Sequence, residues 1–110
     1  MNEIKEYTEK MLDDIKHIDE FGNEYWLARE LQSVLQYTEW RKFKGVIDKA
    51  KIACESSDYK ALDHFVCADK MVEIGSDTKR EVPDYKLSRY ACYLIAQNGD
   101  SRKKDFIKEI

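Results

Sequence analysis

Apolar residues recur at three- and four-residue steps at the start of the chain, at Ile4, Tyr7, Met11, Leu12, Ile15 and Ile18. That spacing predicts an amphipathic helix over residues 2–15. From Lys16 the pattern turns to alternation around Phe21-Gly22-Asn23, which predicts a hairpin over 16–27 that delivers Trp26 to the core or its edge. Helical spacing returns at Leu27, Leu31, Val34 and Leu35, breaks at Gln36-Tyr37 and resumes after Thr38. Thr38 is a good N-cap residue, and Glu39 suits the positive end of a helix dipole. Two helices joined by a tight turn are therefore expected, 28–36 and 39–56, the second burying Trp40, Phe43, Val46, Ile47, Ala50, Ala53 and Cys54. On the same wheel Arg41, Lys44 and Lys51 share the opposite face with Asp48 and Glu55, so Lys44 with Asp48 and Lys51 with Glu55 are expected ion pairs.

After a polar loop come two β-prone runs, Phe65-Val66-Cys67 and Met71-Val72-Glu73-Ile74, then the turn cluster Gly75-Ser76-Asp77-Thr78 and the run Lys79-Arg80-Glu81-Val82 before Pro83. This predicts a hairpin over 64–83 with a basic returning strand. Leu87, Tyr90, Ala91, Leu94 and Ile95 mark a helix over 85–97, which Asn98-Gly99 would stop as a left-handed cap. Asp100 or Ser101 would cap a last helix, 101–108. The fold class is α+β: a small single domain spanning 1–110, mostly helical, with a helix-turn-helix-like pair and one or two short β-hairpins.

Composition narrows the picture. The 110 residues suffice for one modest core, and a 12% aromatic share separates this highly charged chain from a disordered polyelectrolyte. No apolar run reaches the roughly 18 residues of a membrane span. The opening MNEIKEYTEKMLDD lacks the basic start and apolar stretch of a signal peptide. Three widely spaced cysteines fit a reducing compartment, so the expected location is cytoplasmic. The net charge of -3 conceals an asymmetry: residues 1 to 25 carry three basic and eight acidic side chains, whereas 79 to 104 carry seven basic and three acidic. One positive face turned away from an acidic N-terminal segment is compatible with those numbers.

Catalytic motifs are absent: no glycine-rich phosphate loop, nucleophile elbow or HExxH. Cys54, Cys67, Cys92, His17 and His64 lack zinc-ligand spacings, and Cys54 and Cys92 fall on apolar helical faces, as structural thiols do. No catalytic residue, metal or cofactor is assigned. The feature with a mechanism is the two-helix unit, because a helix-turn-helix presents the N-terminal end of its second helix to DNA. Arg41, Lys42 and Lys44 lie there. Lys79 and Arg80 on the hairpin would sit over the phosphate backbone as a wing does, or would protect a strand edge from aggregation. Arg102, Lys103 and Lys104 form a third basic element. Trp40, Tyr90 and Tyr93 are either core residues or platforms for stacked bases.

The runs EYW, YTEWRKF and KRE, followed by DYKLSRYACYLIAQNGD, resemble the N-terminal half of the DNA-damage-inducible protein D family over about residues 15 to 104. That family is itself similar to the BRO-N domains of phage antirepressors and large DNA viruses. The resemblance implies an α+β domain associated with DNA binding or gene regulation, linked in bacteria to the DNA-damage (SOS) response and to the recombinase filament on single-stranded DNA. Family members usually carry glycine where this chain has Gln36 and proline where it has Ser101, and they continue into a helical C-terminal half.

Two function classes follow. The first is a non-enzymatic DNA-binding or regulatory domain using Arg41, Lys42, Lys44, Lys79, Arg80, Arg102 and Lys103 on duplex or single-stranded DNA. The second is a protein-interaction module for the recombinase filament, a repressor or a second copy of itself as a homodimer, motivated by the acidic first helix. Neither calls for a membrane or a small-molecule substrate.

Overall fold

A buried indole N–H needs an acceptor, and the Trp26 Nε1 donates to the Leu12 carbonyl at 2.7 Å. This bond joins the first helix, α1 (Asn2–Ile15), to strand β2 (Glu24–Leu27). The computed structural model describes the backbone of residues 2–99, with side chains from Glu9 onward. The helix expected over 101–108, with Arg102, Lys103 and Lys104, lies outside the described residues.

Strand β1 (His17–Ile18) pairs with β2 across a turn held by Asp19, whose carboxylate accepts from the backbone N–H of Phe21 and Asn23. Those bonds hold the Asp19 carboxyl below the usual carboxylate range. Gly22, at φ 84, supplies the left-handed residue that the turn requires. Strand β2 then pairs with a strand from the far end of the chain, Tyr85–Leu87, and that strand pairs with Phe65–Cys67. Numbered along the chain these are β6 and β3, and the four-stranded antiparallel sheet runs β1-β2-β6-β3. Register places Trp26, Leu87 and Phe65 in one row across it, all buried.

Three helices complete the core: α2 (Ala28–Val34), α3 (Trp40–Ser56) and α5 (Arg89–Gln97). They contribute Leu31, Phe43, Ile47, Ala50, Cys54, Ala91, Cys92 and Ile95. A single helical turn, α4 (Ala61–His64), leads into β3. Strands β4 (Lys70–Gly75) and β5 (Thr78–Val82) form a separate two-stranded arm whose side chains are almost all exposed. The architecture is α+β.

Several local expectations are corrected. The hairpin expected over 64–83 is two structures, because β3 joins the main sheet and only β4 and β5 pair with each other. The helix expected over 85–97 begins at Arg89: residues 85–87 alternate buried, exposed, buried as a strand, and Ser88 caps the helix through a bond from the Ala91 N–H at 3.0 Å. Leu87 lies three residues before Tyr90, a spacing that fits a helical stripe equally well. Thr38 does not cap α3. Glu39 holds that position without a side-chain hydrogen bond. Asn98 is not left-handed, at φ -98, and closes α5 by donating its side-chain amide to the Leu94 carbonyl. Lys51 turns to Tyr85 instead of Glu55 (3.3 Å to the hydroxyl), and Glu55 accepts from the Ala61 N–H at the start of α4.

The turn after α2 is closed by Gln36 N–H to the Ser33 carbonyl and Tyr37 N–H to the Gln32 carbonyl, with Gln36 at φ 64. This is the double bond pattern of a Schellman cap, whose left-handed position favours glycine. The turn after α3 repeats it with Asp58 at φ 66. Gln36→Gly is therefore expected to stabilise the domain by about 0.5–1 kcal/mol, read as a higher urea midpoint.

Arg89 makes a two-pronged contact with Glu24 at 2.9 and 3.1 Å and reaches Asp13 at 3.4 Å, fastening α5 to β2 and α1. The guanidinium holds the Glu24 carboxyl below its usual range. A lowered folded value means stability that is present above the unfolded value and lost as pH falls through the folded one. Acid is expected to lower the melting temperature below the ordinary glutamate range. Glu24→Gln should melt lower at neutral pH and show a shallower acid slope in scanning calorimetry.

Candidate functional site

The chain's one buried carboxylate among the described residues, Asp84, is 1% exposed and lies between the arm and the main sheet. Its Oδ1 accepts from the Arg29 N–H at 3.0 Å and the Tyr85 N–H at 2.8 Å. Arg29 is in the first turn of α2, and the preceding Leu27 offers no capping side chain. A residue 55 positions away thus performs the capping that the local sequence cannot. The Lys70 ammonium, at the start of β4, lies 3.8 Å from Asp84 Oδ2, and the Ala68 N–H donates to the Asp84 carbonyl.

Around this junction runs a ladder of rings and cations. The Arg29 guanidinium donates to the Pro83 carbonyl at 2.9 Å and lies 4.0 Å over the Trp40 ring. Trp40, half-buried, stacks on Tyr85 at 6.5 Å between centroids. Lys51 lies 4.6 Å over the Tyr85 ring. The ladder joins the first turns of α2 and α3 to the root of the arm, each cation–π contact contributing about 0.5–2 kcal/mol. Trp40 is thereby a junction residue, and one of its faces is occupied by Arg29.

Arg41 and Lys42 are exposed in the first turn of α3, beside that junction. Lys42 approaches Glu39 at 4.0 Å, and Lys44 is bonded to Asp48 at 2.8 Å, which holds the Lys44 amine above its usual value. Arg41, Lys79 and Arg80 form no ion pair among the described residues. Pairing along the arm sets Val72 opposite Arg80, Glu73 opposite Lys79, Lys70 opposite Val82 and Met71 opposite Glu81. Side chains alternate along a strand, and directly paired residues share a face. Arg80 and Lys70 therefore lie on one face, with Val72 and Val82. Lys79 lies on the other, with Glu73, Glu81 and Met71. The adjacent pair that the sequence presents as one basic element points in two directions.

Arg29, Lys51 and Lys70 were not singled out by the sequence as members of this surface. Their signal is weak, since each becomes informative only through a partner 11 to 54 residues away.

Other candidate chemistry resolves into structure. Burial pushes the Cys54 and Cys92 thiols up, keeping them protonated. Cys67 is exposed. His17 meets Glu30 at 2.6 Å and stacks on Tyr25. His64 meets Ser88 Oγ at 2.7 Å, but that oxygen already caps α5. Tyr90 packs against Tyr59 and His64, and Tyr93 donates to Glu9. No group of His, Cys, Asp and Glu among the described residues could hold a metal ion, and no described helix is long and apolar enough to cross a membrane.

Comparison with known proteins adds an independent line. Residues 14–109 match the BRO family, N-terminal domain. The chain is 50% identical over 91 residues to the DNA damage-inducible protein D of Escherichia coli (strain K12), an alignment covering 83% of this chain and 33% of that protein. The chain thus spans about a third of the length of that relative. No solved structure matches the chain. The family match over most of the sequence, and identity at half of the aligned positions, establish that the chain belongs to the BRO family through its N-terminal domain.

Proposed function

We propose that this chain is a non-enzymatic DNA-binding regulatory domain of the DNA-damage response. It would contact DNA through the start of α3, with Arg41, Lys42 and Lys44, and through the arm, which carries Lys79 and Arg80 on its two opposite faces. Arg102 and Lys103, outside the described residues, would extend the basic surface. The observation that carries this reading is the junction of Arg29, Trp40, Tyr85 and Asp84, which fastens the arm beside the start of α3. Two basic elements tied at one junction would straddle a phosphate backbone at a lower entropic cost than unconnected ones. The name of the E. coli relative supports the link to DNA damage. Contact with DNA needs no cofactor or metal.

A protein-interaction reading is favoured by a different region. Leu62 is 84% exposed, and Val66 on the edge strand β3 is also exposed, with Ile52 and Tyr59 further exposed apolar residues of the same chain. A recombinase filament, a repressor or a second copy of the chain would be the partner there.

One binding experiment separates the readings. Fluorescence anisotropy with duplex, bare single strand and recombinase-coated single strand, each titrated across salt, is expected to show DNA binding that falls steeply with salt. Each phosphate contact lowers the logarithmic slope by about 0.9 on duplex. Failure to bind either bare DNA at low salt, with binding to the coated strand retained, would overturn the first reading in favour of the second.

Asp84 supplies a check on the junction. Asp84→Ala leaves the Arg29 and Tyr85 N–H groups without their acceptor and is expected to destabilise the fold by about 2 kcal/mol. Asp84→Asn keeps Oδ1 and should cost clearly less, both measured by chemical denaturation.

A further inference from the structure

The arm has two chemically different faces, and the difference bears on how DNA is held. One face carries Lys70 and Arg80 with Val72 and Val82; the other carries Lys79 with Glu73, Glu81 and Met71. Only the first carries no carboxylate of its own strands, with Lys70 turned at its root to Asp84 and Arg80 in no ion pair among the described residues. The second holds two carboxylates against one cation, with Glu73 directly opposite Lys79. The first face is also the one that leads into the domain, since the Lys70 ammonium reaches Asp84 and Asp84 accepts from the Arg29 N–H. Arg29 in turn covers Trp40, at the start of α3.

The geometry points to the arm as a one-faced β-ribbon that enters the major groove of duplex DNA with its Arg80 face toward the base edges, Lys70 anchoring the root of that face to Asp84. This inference rests on the DNA-binding reading above and deepens it by naming the form of DNA and the face. A two-stranded ribbon has strands about 4.8 Å apart and fits a groove about 12 Å wide and 8.5 Å deep. Five paired positions span about 17 Å, enough to follow several base pairs. Residues 70–82 hold no aromatic side chain, so the arm offers no platform on which the bases of a single strand could stack. Val72 and Val82 on the same face are suited to thymine methyl groups, and Arg80 to the paired acceptors of guanine. With that face in the groove, Glu73 and Glu81 point away from the phosphates they would otherwise repel.

The test compares Arg80→Glu with Lys79→Glu in the full chain, using a 20-base-pair duplex and a single strand of the same length. Both variants change the net charge equally, so non-specific electrostatics are matched. Arg80→Glu is expected to weaken duplex binding about tenfold, as loss of a guanine contact does. Lys79→Glu should weaken it less than about threefold. Arg80→Gln, which removes only the charge, should act in the same direction as Arg80→Glu. Both positions are exposed, and unchanged melting temperatures would confirm intact folds. A duplex with bulky glucosyl groups on the major-groove edge of its cytosines should bind about tenfold more weakly, while a minor-groove ligand such as netropsin should not compete. Equal effects at the two positions, a larger effect at Lys79, displacement by netropsin or a preference for single strand would each overturn the ribbon inference while leaving DNA binding in place. A wild-type chain that binds neither DNA would overturn the underlying reading as well.

Discussion

A carboxylate taken out of water must recover its lost solvation from fixed partners, and the partners of Asp84 come from distant parts of the chain. Its Oδ1 holds the N-terminal turn of α2 and the first residue of β6, and Lys70 approaches its Oδ2 from the start of the arm. One side chain therefore sets three elements relative to one another. Without it, α2 would begin with an uncapped first turn behind Leu27, and the root of the arm would keep only backbone contacts and the Arg29 bond to Pro83.

The core gives that junction a stable base. Trp26, Leu87 and Phe65 form one row of the sheet, and each strand of the row comes from a different part of the sequence. The indole is fixed further by the Leu12 carbonyl, and Arg89 lies over its ring at 5.1 Å while gripping Glu24 and Asp13. Two carboxylates of α1 are thus engaged with α5, Glu9 through Tyr93 and Asp13 through Arg89. In a chain of net charge -3, Arg29 and Lys70 meet at the Asp84 junction while Glu9, Asp13 and Glu24 are engaged with α5. Separation of charge by packing, and not its total, decides what such a surface attracts.

The sequence by itself determined the elements whose period is long enough to be distinctive. Seventeen residues of α3 show their buried face plainly, and the stripe of α1, the turn at Gly22 and the burial of Cys54 and Cys92 are equally legible. Family membership was legible too, in the long runs around Trp40 and Tyr90. Of the candidate site, Arg41 and Lys42 were readable as exposed cations at a helix start. That the break at Gln36 departs from the glycine usual in the family was visible too; that its backbone is left-handed was not.

Tertiary structure alone decided the rest. A three-residue strand such as Tyr85–Leu87 is shorter than the window in which a period of two can be told from a helical spacing, so its pairing with β2 and β3 settles what it is. Ser88 then starts α5 where a continuous stripe had concealed the boundary. The pairing of β3 with β6 instead of β4 depends on contacts some twenty residues apart, and it is what frees β4 and β5 to form an arm. The opposed directions of Lys79 and Arg80 follow from strand alternation, but only once residues 78–82 are known to be a strand paired in this register. The cap that Asp84 provides to α2, and the stacking of Arg29 on Trp40 and of Trp40 on Tyr85, join residues far apart in the chain, so no local pattern encodes them. Local periodicity specifies which face of an element is apolar; only packing specifies which polar groups meet across elements, and the candidate site is made of such meetings.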